Sequence, residues 1–219
     1  MFRKLLNLFT RREPAERSAE EEEAAEKWYE EKSSRMEGIL GKEHDMVMHA
    51  IIPYAIGGGL DLYYYPNDIE GVAVATKELS ELPGEGSSNA VFDLYEFAMF
   101  TRLPLNLEAA KDAETPFGQT HTTINAVLNT FAPYSAQATL NPCETCEFPA
   151  DMEKIGGKCF LLDSYKEELA TQGFGVMVIL EVFRSEMQYA REHGGQQMLD
   201  KLKAAGVYPY SDMDREPLV

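Results

Sequence analysis

Aromatic and aliphatic residues crowd positions 60–65, Leu-Asp-Leu-Tyr-Tyr-Tyr, and a second largely apolar run fills 72–82 after Pro66-Asn67-Asp68. Aromatic and β-branched side chains suit a pleated surface and Pro-Asn-Asp is turn chemistry, so the pattern predicts a β-hairpin. Gly57-Gly58-Gly59 lies just upstream, where backbone without Cβ atoms takes positive φ or passes close to another chain. No Gly-Lys-Ser/Thr follows and no helical pattern opens there, which argues against a phosphate loop.

The same reading extends along the chain. Positions 90–101 carry so many aromatics that a central strand buried on both faces is expected, although Phe92, Tyr95 and Met99 also fit helical spacing. Residues 105–115 read as a short helix stopped by Pro116, and 117–131 as an amphipathic helix with Ile124, Val127, Leu128 and Phe131 on its apolar face. Residues 140–149 read as a loop held by proline at both ends. Strands are expected at 157–165 and 174–183, the latter the least ambiguous of all. Helices follow at 185–193 and 196–205, each ended by glycine, with Met187, Tyr189, Ala190, Met198, Leu199 and Leu202 inward. The tail from 207 has little helical pattern and is expected to be clamped by its tyrosines.

Upstream of the hairpin, residues 13–32 are rich in Glu, Ala and Lys, with Pro14 suited to a first helical turn and Ser18 three residues before Glu21 as a capping box. This stretch should be helical at least in part, docking near Trp28 and Tyr29. Residues 41–49 are ambiguous between a helix end and a strand. The organisation expected is a basic amphipathic segment (1–12), an acidic extension, helical or partly disordered (13–35), and one domain (36–219).

Composition narrows the function classes. With 219 residues and 44% hydrophobic content the chain can bury one real core. A formal charge of −17 argues against a nucleic-acid face, which needs clustered Lys and Arg, and favours basic partners. Three cysteines, an odd number, and no secretory signal point to a reducing compartment, the cytoplasm. No run approaches the ~20 apolar residues of a spanning helix. Residues 1–12 place Phe2, Leu5, Leu6, Leu8 and Phe9 among four basic residues, a pattern that fits weak contact with an anionic membrane surface or a loosely docked start.

Isolated residues suggest chemistry without completing any. His44 and His49 lie five apart, off the spacing of helical metal ligands. His121 reads as exposed or capping, with no Ser or Cys nucleophile beside it. Cys143 and Cys146 have C-x-x-C spacing and Cys159 adds a third thiol, one ligand short of a structural zinc site. A thiol-zinc or redox protein centred on these three is the alternative function. No nucleophile-base-orienter set and no cofactor motif is present, so a non-enzymatic binding module is preferred.

Gly59-Leu-Asp-Leu-Tyr-Tyr-Tyr-Pro, Ala75-Thr-Lys-Glu-Leu-Ser, Leu94-Tyr-Glu-Phe-Ala-Met-Phe-Thr, Asn141-Pro-Cys-Glu-Thr-Cys, Phe160-Leu-Leu-Asp-Ser-Tyr and the last strand with its two helices occur in an order that resembles the Suppressor-of-fused (SUFU) domain family in its short bacterial form. The likeness covers residues 36–219. It implies an α+β domain, a mixed β-sheet with helices packed against it, that works by protein-protein contact and needs no cofactor. The animal member resembles this chain over its first domain and holds a transcription-factor peptide as an added strand against a second domain, which this chain is too short to contain. Bacterial relatives imply an immunity protein that blocks a toxin, here a basic one. By motif position Asp61 and Tyr63 match an Asp-Leu-Tyr element beside the animal groove. Tyr65 and Glu78, on the same hairpin, complete the expected partner-binding set.

Overall fold

Side-chain alternation along the strands divides the core in two, one half on each face of a sheet. The computed structural model describes residues 18–219. The basic segment 1–12 and the start of the acidic extension lie outside the described residues. Within them six strands form one sheet in the order β1-β2-β3-β6-β5-β4. These are β1 (Tyr63–Tyr65), β2 (Val72–Ala75), β3 (Leu94–Thr101), β4 (Thr145–Glu147), β5 (Cys159–Tyr165) and β6 (Phe174–Val182). The central β3–β6 pair is parallel and its neighbours pair antiparallel, so the sheet is mixed.

One face carries Tyr63, Tyr65, Phe100, Leu161, Val176, Val178 and Leu180 against α1 (Ala19–Leu40), α3 (Arg184–His193) and α4 (Gly195–Ala204). The other carries Tyr64, Phe97, Met99, Phe160, Met177 and Ile179 against α2 (Pro116–Ser135). This odd-even division is what a period of two imposes on strands covered on both sides. Tyr63 and Tyr65 face Ala75 and Ala73 across the β1–β2 pair, large beside small. The α+β architecture and mixed sheet expected from the resemblance are the ones observed.

α1 begins with the Ser18–Glu21 capping box and buries Trp28, Lys32, Met36, Ile39 and Leu40, one stripe at helical spacing. It therefore runs unbroken across position 35; of the two aromatic residues near its docking point Trp28 is buried, while Tyr29 stays 43% exposed with Lys77 over its ring. α2 caps on Thr115, whose Oγ1 accepts the Gly118 N–H, with Pro116 in its first turn.

The dense run at 90–101 is the buried central strand expected, beginning at Leu94. Four local expectations are corrected. The strand expected to reach 82 ends at Ala75, because residues 76–80 turn inward to surround a buried carboxylate described below. Residues 105–115 form only a 3-10 turn, Ala109–Lys111. The proline-bounded loop at 140–149 contains β4, since Thr145, Cys146 and Glu147 find pairing partners on β5. His121 is buried, not exposed: its Nε2 lies 2.8 Å from Tyr64 Oη and its ring stacks on Phe117 and Tyr64. Burial lowers its pKa, against a smaller opposing hydrogen bond that the ring donates to the Ala110 backbone.

The tail lies along the sheet as its tyrosines suggest. Tyr210 bridges to Phe100, and Arg215 grips the fully buried Glu186 of α3 through two bonds of 2.6 and 2.8 Å.

Candidate functional site

Two carboxylate centres sit where β2 leaves the sheet. The inner one is Glu96 of β3, with 0% exposure. Its oxygens accept from Thr76 Oγ1 at 2.7 Å, Ser80 Oγ at 2.9 Å and the backbone N–H groups of Leu79 and Ser80, both at 3.2 Å. Lys32 of α1, 1% exposed, supplies the positive charge at 3.3 Å and also donates to the carbonyls of Lys77 and Ser80. Trp28 Nε1 donates to the same Ser80 carbonyl at 2.9 Å. The network ties α1 to the strand ends, and every oxygen of the carboxylate has donors.

The outer centre is Asp61 with Glu78. Asp61 Oδ2 lies 2.6 Å from His49 Nδ1, and Oδ1 accepts the Ala50 N–H at 2.8 Å. The Asp61 N–H in turn donates to Glu78 Oε1 at 3.3 Å, and the Lys77 N–H to Glu78 Oε2 at 3.2 Å. Among the described residues no cation is paired with Glu78. Burial, reinforced by the negative charges of Glu96 and Asp61, pushes its pKa up to about 8 despite the two backbone donors. The neighbouring Lys77 ammonium is committed to Glu43 at 2.5 Å and Ser33 Oγ at 2.8 Å, over the rings of Tyr29 and Tyr63.

From Asp61 the chain folds back through a loop that is locked along its length. Gly57, Gly58 and Gly59 donate to the carbonyls of Tyr54, Pro53 and Ile52. Leu60 N–H donates to Asn129 Oδ1 of α2 at 2.9 Å. Gly57 has φ +86°, and a Cβ on Gly58 would stand 1.8 Å from the Ile52 carbonyl oxygen, so glycine is required at both. This loop packs Val47, Met48 and Tyr54 against the core and turns other apolar side chains outward. Ile51 is fully exposed, and Met46, Ile52 and Ile56 are 56–58% exposed. Between the loop and α2 lies a cavity of about 440 Å³ lined by Met48, His49, Ile51, Leu60, Asn125 and Lys154 among others.

Of the four residues expected to bind a partner, Asp61 and Glu78 are thus in direct contact and partly accessible, whereas Tyr63 and Tyr65 point into the α1 face, 5% and 0% exposed. Tyr65 Oη donates to Glu43 Oε2 at 2.7 Å. Burial first, then neighbouring acids and hydrogen bonds, raises the pKa of both phenols, which stay neutral. The sequence reading missed the isoleucine loop. Its signal was present, two adjacent isoleucines before Pro53 in a stretch with no strand or helix period.

The three thiols are divided by the sheet. Cys143 and Cys159 pack with the α1 face and Cys146 with the α2 face. Burial raises the pKa of each. Among the described residues no group of three His, Cys, Asp or Glu side chains is placed to hold a metal ion. Among them, too, no helix is long and apolar enough to cross a membrane.

No protein-family model matches the chain, and no curated protein matches it. Solved structures do. The crystal structure of a Sufu–Fu complex aligns with a TM-score of 0.55 at 16% identity, covering 88% of this chain and 91% of that one. A structure from Neisseria gonorrhoeae FA 1090, described as a homolog of SUFU (suppressor of fused protein), aligns with a TM-score of 0.56 at 14% identity, covering 89% of this chain and 98% of its own. The chain has a SUFU-like fold, at a length close to that of the bacterial homolog.

Proposed function

We propose that this SUFU-like domain is a non-catalytic protein-interaction module of the cytoplasm that neutralises a basic toxin domain, with Asp61 and Glu78 in contact with the partner and Tyr63 and Tyr65 holding their hairpin. The observation that carries the reading is the outer acidic pair, partly open to solvent and without a Lys or Arg counter-ion among the described residues, at the foot of a hydrogen-bonded loop with exposed isoleucines. A formal charge of −17 favours association with a basic surface. The Sufu–Fu complex, itself an assembly of two proteins, supports a protein as the partner.

Hydrolysis is the competing class, because His49 and Asp61 resemble two members of a triad. His49 has no Ser or Cys side chain hydrogen-bonded to it among the described residues, and Asp61 is spent on orienting the loop through Ala50. The test is capture by the tagged protein from source-cell extract at low and high salt, with mass spectrometry, followed by association kinetics. The expected result is a toxin domain whose association rate falls as salt rises. A turnover abolished by changing one side chain, or no partner at any salt, overturns the proposal.

A further inference from the structure

We infer that the loop at residues 46–56 and the cavity between it and α2 receive a basic, amphipathic segment of the partner, with an apolar side chain seated in the cavity and Lys or Arg reaching Asp61 and Glu78. The inference rests on the protein-binding reading and adds the surface and the chemistry that it fits.

Three observations converge. The first is apolar exposure on a locked backbone: Ile51 is 102% exposed, yet the chain on both sides of it is fixed by Ala50 to Asp61, Gly59 to Ile52 and Leu60 to Asn129. Side chains held ready in this way cost little ordering entropy on binding, unlike those of a mobile tip. The second is the cavity of about 440 Å³, with buried Leu60 and Leu62, exposed Ile51 and residues of α2 in its lining, large enough to take an aliphatic or aromatic anchor. The third is the sign of the charge beside it. His49 lines the cavity and bonds Asp61, and Asp61 bonds Glu78, so a segment crossing the loop passes from an apolar seat to acidic side chains, Asp61 first, that have no Lys or Arg partner among the described residues. Lys154, also in the lining, repels a cation there and so favours the Asp61 flank for the partner's basic residues. Self-association is disfavoured, because two copies would bring acidic flanks together.

The experiment places the photo-crosslinker p-benzoylphenylalanine at position 51 and, in a separate protein, at Tyr134, a 48% exposed site near the end of α2. Each full-length protein is irradiated in source-cell extract and the crosslinked peptide is sequenced. The segment caught at 51 is then synthesised and titrated against wild-type, Ile51→Asp, Asp61→Asn and Tyr134→Ser proteins, with circular dichroism confirming that each is folded. Expected is a net-positive segment with a large apolar residue, bound ~10-fold or more weakly by Ile51→Asp, with a shallower salt dependence for Asp61→Asn and no change for Tyr134→Ser. An acidic or neutral segment, a second copy of this chain, its own residues 1–12, or equal binding by Ile51→Asp overturns the inference. Capture at 134 and not at 51 overturns the surface while leaving the protein-binding reading standing; capture at neither overturns both.

Discussion

Glu96 and Glu78 are acids of the same sheet region with opposite fates. Glu96 is wholly buried, yet Lys32 and four donors surround it, so its charge is compensated where it sits. Glu78 is only half-buried, yet it faces Asp61 and Glu96 with backbone N–H groups as its donors and, among the described residues, no cation. Depth of burial is therefore a poor guide to which acid is strained; the partner list decides. The inner centre fastens α1 to the sheet, and the outer one holds a loop whose isoleucines lie out in solvent.

The comparison breaks most visibly at Lys32. Lys32→Met removes the cation and leaves the Glu96 carboxylate buried without it, and breaking such a pair costs about 3–5 kcal/mol. Urea unfolding should show a loss of that order. A loss under ~1 kcal/mol, as expected for an exposed pair, would mean that the inner centre is no more structural than the outer one. Next in size is Gly58→Ala. Its Cβ would collide with the Ile52 carbonyl, and forcing the loop apart should cost about 1–3 kcal/mol. Amide exchange should rise at residues 50–60 while the Lys32–Glu96 region keeps its protection. Exchange rising equally in both would show that the two regions open as one.

Glu78→Gln sharpens the contrast through pH. The folded carboxyl titrates at about 8 against an ordinary 4.5, so between those values the native state holds a proton that the unfolded chain has released. Stability therefore falls as pH rises from 4.5 to 8 and is flat above. His121 acts in the opposite sense: with a lowered folded pKa it costs stability only as pH falls below its ordinary 6.5, so the Glu78 effect is isolated between 6.5 and 8. Gln has no charge to bury. The variant should match wild type near pH 5 and exceed it at pH 9 by about 1–2 kcal/mol, an estimate discounted for the partial exposure of the group. Unfolding midpoints measured across this range check it, and parallel curves for the two proteins would refute the assignment.

What could be read from the sequence followed the density of the local signal. The runs at 94–101 and 174–182 are apolar on both faces and α2 carries a clear helical stripe, so each was legible by itself. β4 was not, because Thr-Cys-Glu is a strand only by virtue of its pairing with Leu161, Phe160 and Cys159. Lys32 stood in a Glu- and Lys-rich run that reads as a solvated face; its burial is dictated by Glu96, 64 residues away. His121 failed for the same reason, since Tyr64 is 57 positions distant. For the site, Asp61 and Glu78 were named from the hairpin motif, but nothing local says that they touch. The exposure of Ile51 and Ile52 depends on how three glycines fold the loop back, a property of backbone hydrogen bonds that composition does not encode.

The smallest expected effect is the one that separates structure from function most cleanly. Ile51→Ser removes an apolar side chain that is already fully in solvent, so no burial is lost and no cavity opens, and its effect on unfolding should lie within about 0.5 kcal/mol of zero. A buried isoleucine at the same chain position would cost several times more, because transfer and cavity terms would both apply. A near-zero result, measured alongside the large loss at Lys32, would confirm that the loop contributes nothing to stability through this side chain and leaves it free for a partner. A loss above ~1 kcal/mol would place Ile51 against the body of the protein in solution, closing the cavity and removing the distinction between the two regions.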